Sequence, residues 1–90
     1  MFHITGTLVE KFDTNEVAID KHYRTFWLRT HENNPQVLRM QLSGLDCVRL
    51  DVIDQGDMVT VDFYISGRPK MKGNKQELYN NLNVKYINKM

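Results

Sequence analysis

Three stretches of this chain alternate with a period of two, and each leaves one face apolar. His22 to Thr30 sets Phe26 and Leu28 against Tyr23, Thr25, Trp27 and Arg29. Gln36 to Leu42 sets Leu38, Met40 and Leu42 against Val37, Arg39 and Gln41. Met58 to Ser66 sets Val59, Val61, Phe63 and Ile65 against Thr60, Asp62 and Tyr64. Successive side chains of a strand point to opposite faces, so such runs demand a sheet with one side wet and one side covered.

Two further segments read as strands. His3 to Phe12 carries Ile4, Leu8 and Phe12, with Gly6 as an expected bulge or bend. Leu78 to Tyr86 places Leu78, Leu82, Val84 and Tyr86 on one parity and Tyr79, Asn81, Asn83 and Lys85 on the other. The polar run His31-Glu32-Asn33-Asn34-Pro35 is a turn. After the third strand, Ser43 is an expected helix cap with Asp46 in the first turn, and Leu45, Val48 and Val52 form an apolar stripe. Gln55-Gly56-Asp57 ends that helix.

The order is thus three strands, one short helix, two strands. One short helix cannot cover a five-stranded apolar face. Curling the sheet into a small barrel, with the helix plugging one end, buries that face and removes most of the free edge. The expectation is an all-β OB-fold over residues 1–90 as one domain. A chain of 90 residues is too small for a two-domain enzyme with a deep cleft.

The whole-chain charge directs nothing: 12 Lys+Arg face 11 Asp+Glu, a net +1. Distribution matters more. From Gly67 to Glu77 the connection between the last two strands holds Arg68, Lys70, Lys72 and Lys75 against Glu77, while the helix region sets Asp46, Asp51, Asp54 and Asp57 against Arg49. The acids read as a solvated rim, and Gly73-Asn74 as the turn of a basic loop.

The outward face of the second and third strands shows Tyr23, Trp27, Arg29, Arg39 and Gln41. Flat rings for bases interleaved with cations for phosphates are what single-strand recognition requires. With Arg68, Lys70, Lys72 and Lys75 as a phosphate-seeking flap, these residues form the expected site for single-stranded DNA, with RNA not distinguished from it. The competing reading gives the same aromatic surface, or an exposed edge strand, to a protein partner or to a second copy of the chain.

The chain also resembles a family of small bacterial proteins of unassigned function, classed with single-strand-DNA-binding-like OB folds. The resemblance rests on Ile4-Thr5-Gly6-Thr7-Leu8, Phe26-Trp27-Leu28-Arg29-Thr30 and Pro35-Gln36. It continues through Gly56-Asp57-Met58-Val59-Thr60-Val61, Gly67-Arg68 and Asn80-Asn81-Leu82. Where that family commonly places an aromatic after the Gly-Arg pair, this chain has Pro69-Lys70-Met71. The resemblance implies the barrel fold.

Catalytic patterns are not legible. His3, His22 and His31 are dispersed, without metal-ligand spacing to another His, Cys or carboxylate. Cys47 falls among carboxylates, which raise a thiol pKa and leave it unreactive. The expectation is a protein without catalysis, cofactor or metal. A lone cysteine, no apolar leader at Met1–Phe12 and no membrane-length apolar run point to a reducing cytoplasm.

Overall fold

The computed structural model describes all 90 residues, Met1–Met90. Six strands and one 3-10 helix follow in the order β1 (Phe2–Lys11), β2 (Asn15–Ala18), β3 (Lys21–Thr30), β4 (Val37–Ser43), the helix (Gly44–Val52), β5 (Met58–Lys72) and β6 (Lys75–Lys89). Five of the strands close a ring, β1 to β3 to β4 to β6 to β5 and back to β1. The helix sits between the third and fourth of them in chain order, which is the OB-fold arrangement. The seam is thin: β4 meets β6 in parallel through the single pair Gln41–Asn83.

The sixth strand is β2, which lies outside the ring and pairs only with the start of β3. Its four residues are all exposed, so no alternation marks it in the sequence. A tight turn carries the chain from β2 into β3, with Asp20 in the left-handed region at φ 64°. Aspartate tolerates that conformation better than most residues.

The expected bend in β1 also has a different form. The bulge falls at Val9, where Leu8 pairs with Leu28 but Glu10 pairs with Trp27. Gly6 is instead the position at which β1 is gripped on both sides, by Thr30 of β3 and Val59 of β5. A Cβ there would stand 2.6 Å from the Arg29 carbonyl oxygen and 2.7 Å from Leu28 Cγ. Glycine is what lets three strands converge at the closure.

Leu8, Phe26, Leu28, Met40, Leu42, Val59, Val61, Phe63 and Val84 fill the barrel, as the alternation requires. The helix differs from expectation in type and in face. Its buried positions are Cys47 and Leu50, followed by Ile53, each three residues apart. Side chains at that spacing eclipse one another in a 3-10 helix. Leu45, Val48 and Val52, expected to face inward, are 92%, 65% and 74% exposed. Ser43 precedes the helix in extended conformation but makes no capping hydrogen bond.

Two cations from the barrel hold the helix in place. Lys11 Nζ donates to the Leu50 and Ile53 carbonyls at 3.0 and 2.9 Å. Arg24, buried on the inner face of β3, donates from Nε to Phe12 O (2.6 Å) and from Nη1 to Cys47 O (3.1 Å) and Asp51 Oδ1 (2.7 Å). Arg24 shares the parity of Phe26 and Leu28, a charged side chain on an otherwise apolar face.

The segment read as a basic loop is strand on both sides. Strands β5 and β6 run on as a 15-residue pair as far as Lys72–Lys75, and a two-residue turn at Gly73–Asn74 joins them. Gly73, at φ 62°, supplies the positive φ that such tight hairpin turns need. A second bulge, at Lys85 of β6, shifts the pairing from Asp62–Tyr86 to Phe63–Val84. It turns Ile87 into the core and Tyr86, expected inside, outward to 45% exposure.

Candidate nucleic-acid interface

The outer face of β3 and β4 forms the floor of a groove of about 620 Å³. Trp27 and Arg39 are cross-strand partners there, with Thr25 and Gln41 the next outward pair along. Directly opposed outer-face residues lie close enough for their side chains to work as one surface. Tyr23, Trp27, Arg39 and Gln41 all line the groove, joined by Phe12, Asp13, Asn15 and Val17 from the β1–β2 side and by Asn81 of β6.

Trp27 is 41% exposed, so its indole is open to solvent on part of its surface. The ring of Phe12 meets it edge-on, at 5.3 Å between centroids and 65° between planes. Sequence parity pointed Phe12 inward. The extra residue at Val9 reverses the faces beyond it, bringing Lys11 under the helix and Phe12 beside the indole. No residue type near Val9 announces that bulge.

Arg29 is not brought to this groove. It pairs with Thr7, on the near side of the Val9 bulge, whereas Trp27 pairs with Glu10 beyond it. Arg29 lines a separate, smaller hollow with Thr7, Leu8, Val9, Gln55 and Gly56.

Beside the first groove lies a second hollow of about 340 Å³, lined by Ser66, Gly67, Arg68, Lys70, Tyr79 and Asn81. Asn81 lines both, so the two hollows adjoin at that side chain and are together termed the track. Arg68 and Tyr79 are cross-strand partners, and Lys70 Nζ lies 5.8 Å from the Tyr79 ring centroid. The Tyr79 hydroxyl donates to the Glu77 carboxylate, which holds its pKa above the usual tyrosine value. Lys72 and Lys75 pair with each other at the hairpin tip, outside both hollows.

Ion pairing sharpens the charge pattern. The acids read as a solvated rim are each engaged: Asp46 with Arg49 (3.0 Å), Asp51 with Arg24 (2.7 Å), Asp54 with Lys11 (3.8 Å) and Asp57 with Lys89 (3.3 Å). A hydrogen bond from the Asp54 amide, with help from Lys89, holds the Asp57 carboxyl below its usual value. Of the 12 Lys and Arg residues, the eight outside these pairs include Arg39, Arg68, Lys70, Lys72 and Lys75. The helix is neutralised, and five of the eight uncompensated cations lie along the track and hairpin.

Burial pushes the Cys47 thiol pKa up, and its Sγ donates to Leu42 O at 3.6 Å. That is the setting of a structural cysteine. No three of the His, Cys, Asp and Glu side chains are grouped as a metal ion would need. No helix is long and apolar enough to cross a membrane.

Residues 3–88 match a family described as a domain of unknown function, DUF3127. The chain belongs to the DUF3127 family. No curated protein matches the sequence. Among solved structures, the DUF3127 chain is similar to the mitochondrial single-stranded DNA binding protein Rim1 of S. cerevisiae, with a TM-score of 0.79 at 13% identity, covering 99% of this chain and 92% of that one. A small single-stranded DNA-binding protein from Streptomyces coelicolor superposes with a TM-score of 0.73 at 10% identity, over the same shares of each chain. The single-stranded DNA binding protein of Thermus aquaticus gives 0.79 at 17% identity, covering 98% of this chain but 48% of that longer one. At such identities the likeness establishes a shared OB fold.

Proposed function

We propose that this DUF3127 chain binds single-stranded nucleic acid, DNA in the first instance, without catalysis. Bases stack on Trp27 and Tyr23, and the phosphate chain runs past Arg39 toward Arg68 and Lys70, with Lys72 and Lys75 reaching it from the hairpin tip. Asn81 carries the reading, because it joins the aromatic groove and the cationic hollow into one path. The fold shared with proteins named for single-stranded DNA binding is consistent with it. One buried cysteine suits a reducing cytoplasm.

Stacking contributes about 1–3 kcal/mol per base. After ordering costs, one copy on a short oligonucleotide binds at roughly micromolar strength. With about four cations on phosphates, log K falls against log salt with a slope near −3. Fluorescence anisotropy of a labelled oligo-dT at two ionic strengths tests this directly. Arg39→Glu weakens binding about tenfold or more and lowers the salt slope by about 1. Unchanged affinity and slope in that variant overturn the proposed path.

A second reading, self-association, has its own observation. On the hairpin face that continues Val59, Val61 and Phe63, the residues Ile65, Met71 and Leu78 are 51%, 69% and 67% exposed. Large apolar side chains grouped in water are the mark of a contact surface. Light scattering is then expected to show an oligomer that Met71→Glu with Leu78→Glu converts to monomer. A monomeric wild type at tens of micromolar removes this reading and leaves the first intact.

A further inference from the structure

The two halves of the track differ in chemistry. The hollow under the hairpin holds Arg68 and Lys70 and no carboxylate. The groove over Trp27 holds one cation, Arg39, and one anion, Asp13. Asp13 has no hydrogen bond and no ion pair within the protein, unlike the four helix-side aspartates. It directly follows Phe12, whose ring abuts the indole. A carboxylate beside a polyanion's path works against phosphate binding unless something in the ligand uses it.

We infer that Asp13 reads the base, and that the groove prefers bases with an exocyclic amino group, cytosine among them, over thymine. The inference rests on the stacking reading above. A carboxylate only accepts hydrogen bonds. An unpaired base exposes its Watson–Crick edge to the protein. Cytosine presents its N4 amino group there, a recognised partner for aspartate. Guanine presents N1–H and the N2 amino group side by side, two donors matched to two carboxylate oxygens. Thymine offers one N–H between two carbonyl oxygens, and those oxygens repel the carboxylate. A base lying on Trp27 thus meets an acceptor that discriminates by amino group, in a groove whose side-chain amides, Asn15, Gln41 and Asn81, can each present a donor or an acceptor.

The test compares labelled oligo-dC and oligo-dT of equal length by anisotropy at neutral pH, with wild type and Asp13→Ala. Wild type is expected to bind oligo-dC about tenfold tighter than oligo-dT. In Asp13→Ala the ratio falls to near one through loss on oligo-dC, while oligo-dT binding holds or tightens. Equal affinities in wild type overturn the inference. So does a ratio that survives Asp13→Ala while both affinities rise together, because the carboxylate is then only a repelling charge. If wild type binds neither oligonucleotide, the stacking reading itself fails and Asp13 falls with it, a pattern distinct from the other two.

Discussion

Replacing Arg24 with alanine is expected to cost about 3–5 kcal/mol, since it leaves the Phe12 and Cys47 carbonyls without their donor at about 1–3 kcal/mol each. For a domain of this size that lowers the melting temperature by roughly 15–30 °C. One guanidinium ties together three parts of the chain: the end of β1 at Phe12, the helix backbone at Cys47, and the Asp51 carboxylate. Its side chain is 9% exposed, against 63% for Asp51. The two ends of the ion pair are therefore unequal. Asp51→Ala leaves Arg24 with both carbonyl acceptors but takes the counter-ion from a buried charge, and costs about 1–2 kcal/mol because the Asp51 side of the pair is open to water. Arg24→Lys does not restore the loss, because an ammonium cannot span a fork of divergent acceptors. Thermal melts followed by circular dichroism read the difference, and hydrogen exchange should show residues 44–53 losing protection first. Arg24→Ala and Asp51→Ala melting alike would contradict this account.

The largest effect on binding is expected from Trp27→Ala combined with Tyr23→Ala. Two lost stacking surfaces at about 1–3 kcal/mol each weaken oligonucleotide binding roughly a hundredfold or more. The salt slope should stay where it was, because no cation has been removed. That separates the double variant from Arg39→Glu, in which slope and affinity change together. Trp27 lies on the outer face and outside the buried core, so the fold survives its loss and the melt serves as the control. Anisotropy with a labelled strand is the proper measurement, since removing the indole also removes its fluorescence. An affinity within threefold of wild type would place the bases elsewhere.

Phe12 shows why the site was only partly legible in the sequence. Tyr23, Trp27, Arg39 and Gln41 were found because alternation over a few residues sorts the faces of β3 and β4 without reference to any partner. Phe12 was assigned to the wrong face because one unpaired residue, Val9, inverts everything after it, and a bulge is a property of two strands. The bulge at Lys85 takes Tyr86 off the face it would share with Leu82 and Val84 for the same cause. The helix stripe failed differently. An α-helical spacing selects Leu45, Val48 and Val52, whereas the barrel mouth accepts a tighter helix whose buried ridge is Cys47, Leu50 and Ile53.

Local chemistry was sufficient for the order of the five barrel strands and the helix, the apolar face of each central strand, the turn at Gly73–Asn74 and the presence of an aromatic, basic outer surface. Each of these depends on neighbours a few positions apart, where side-chain alternation and turn preferences act. Tertiary structure alone decided which cations are spoken for, that Arg29 faces another hollow, and that Asn81 bridges two grooves. It also decided that the basic segment stands as a paired hairpin. Those outcomes depend on groups brought together across tens of residues by the closing of the barrel, and no spacing along the chain encodes that approach.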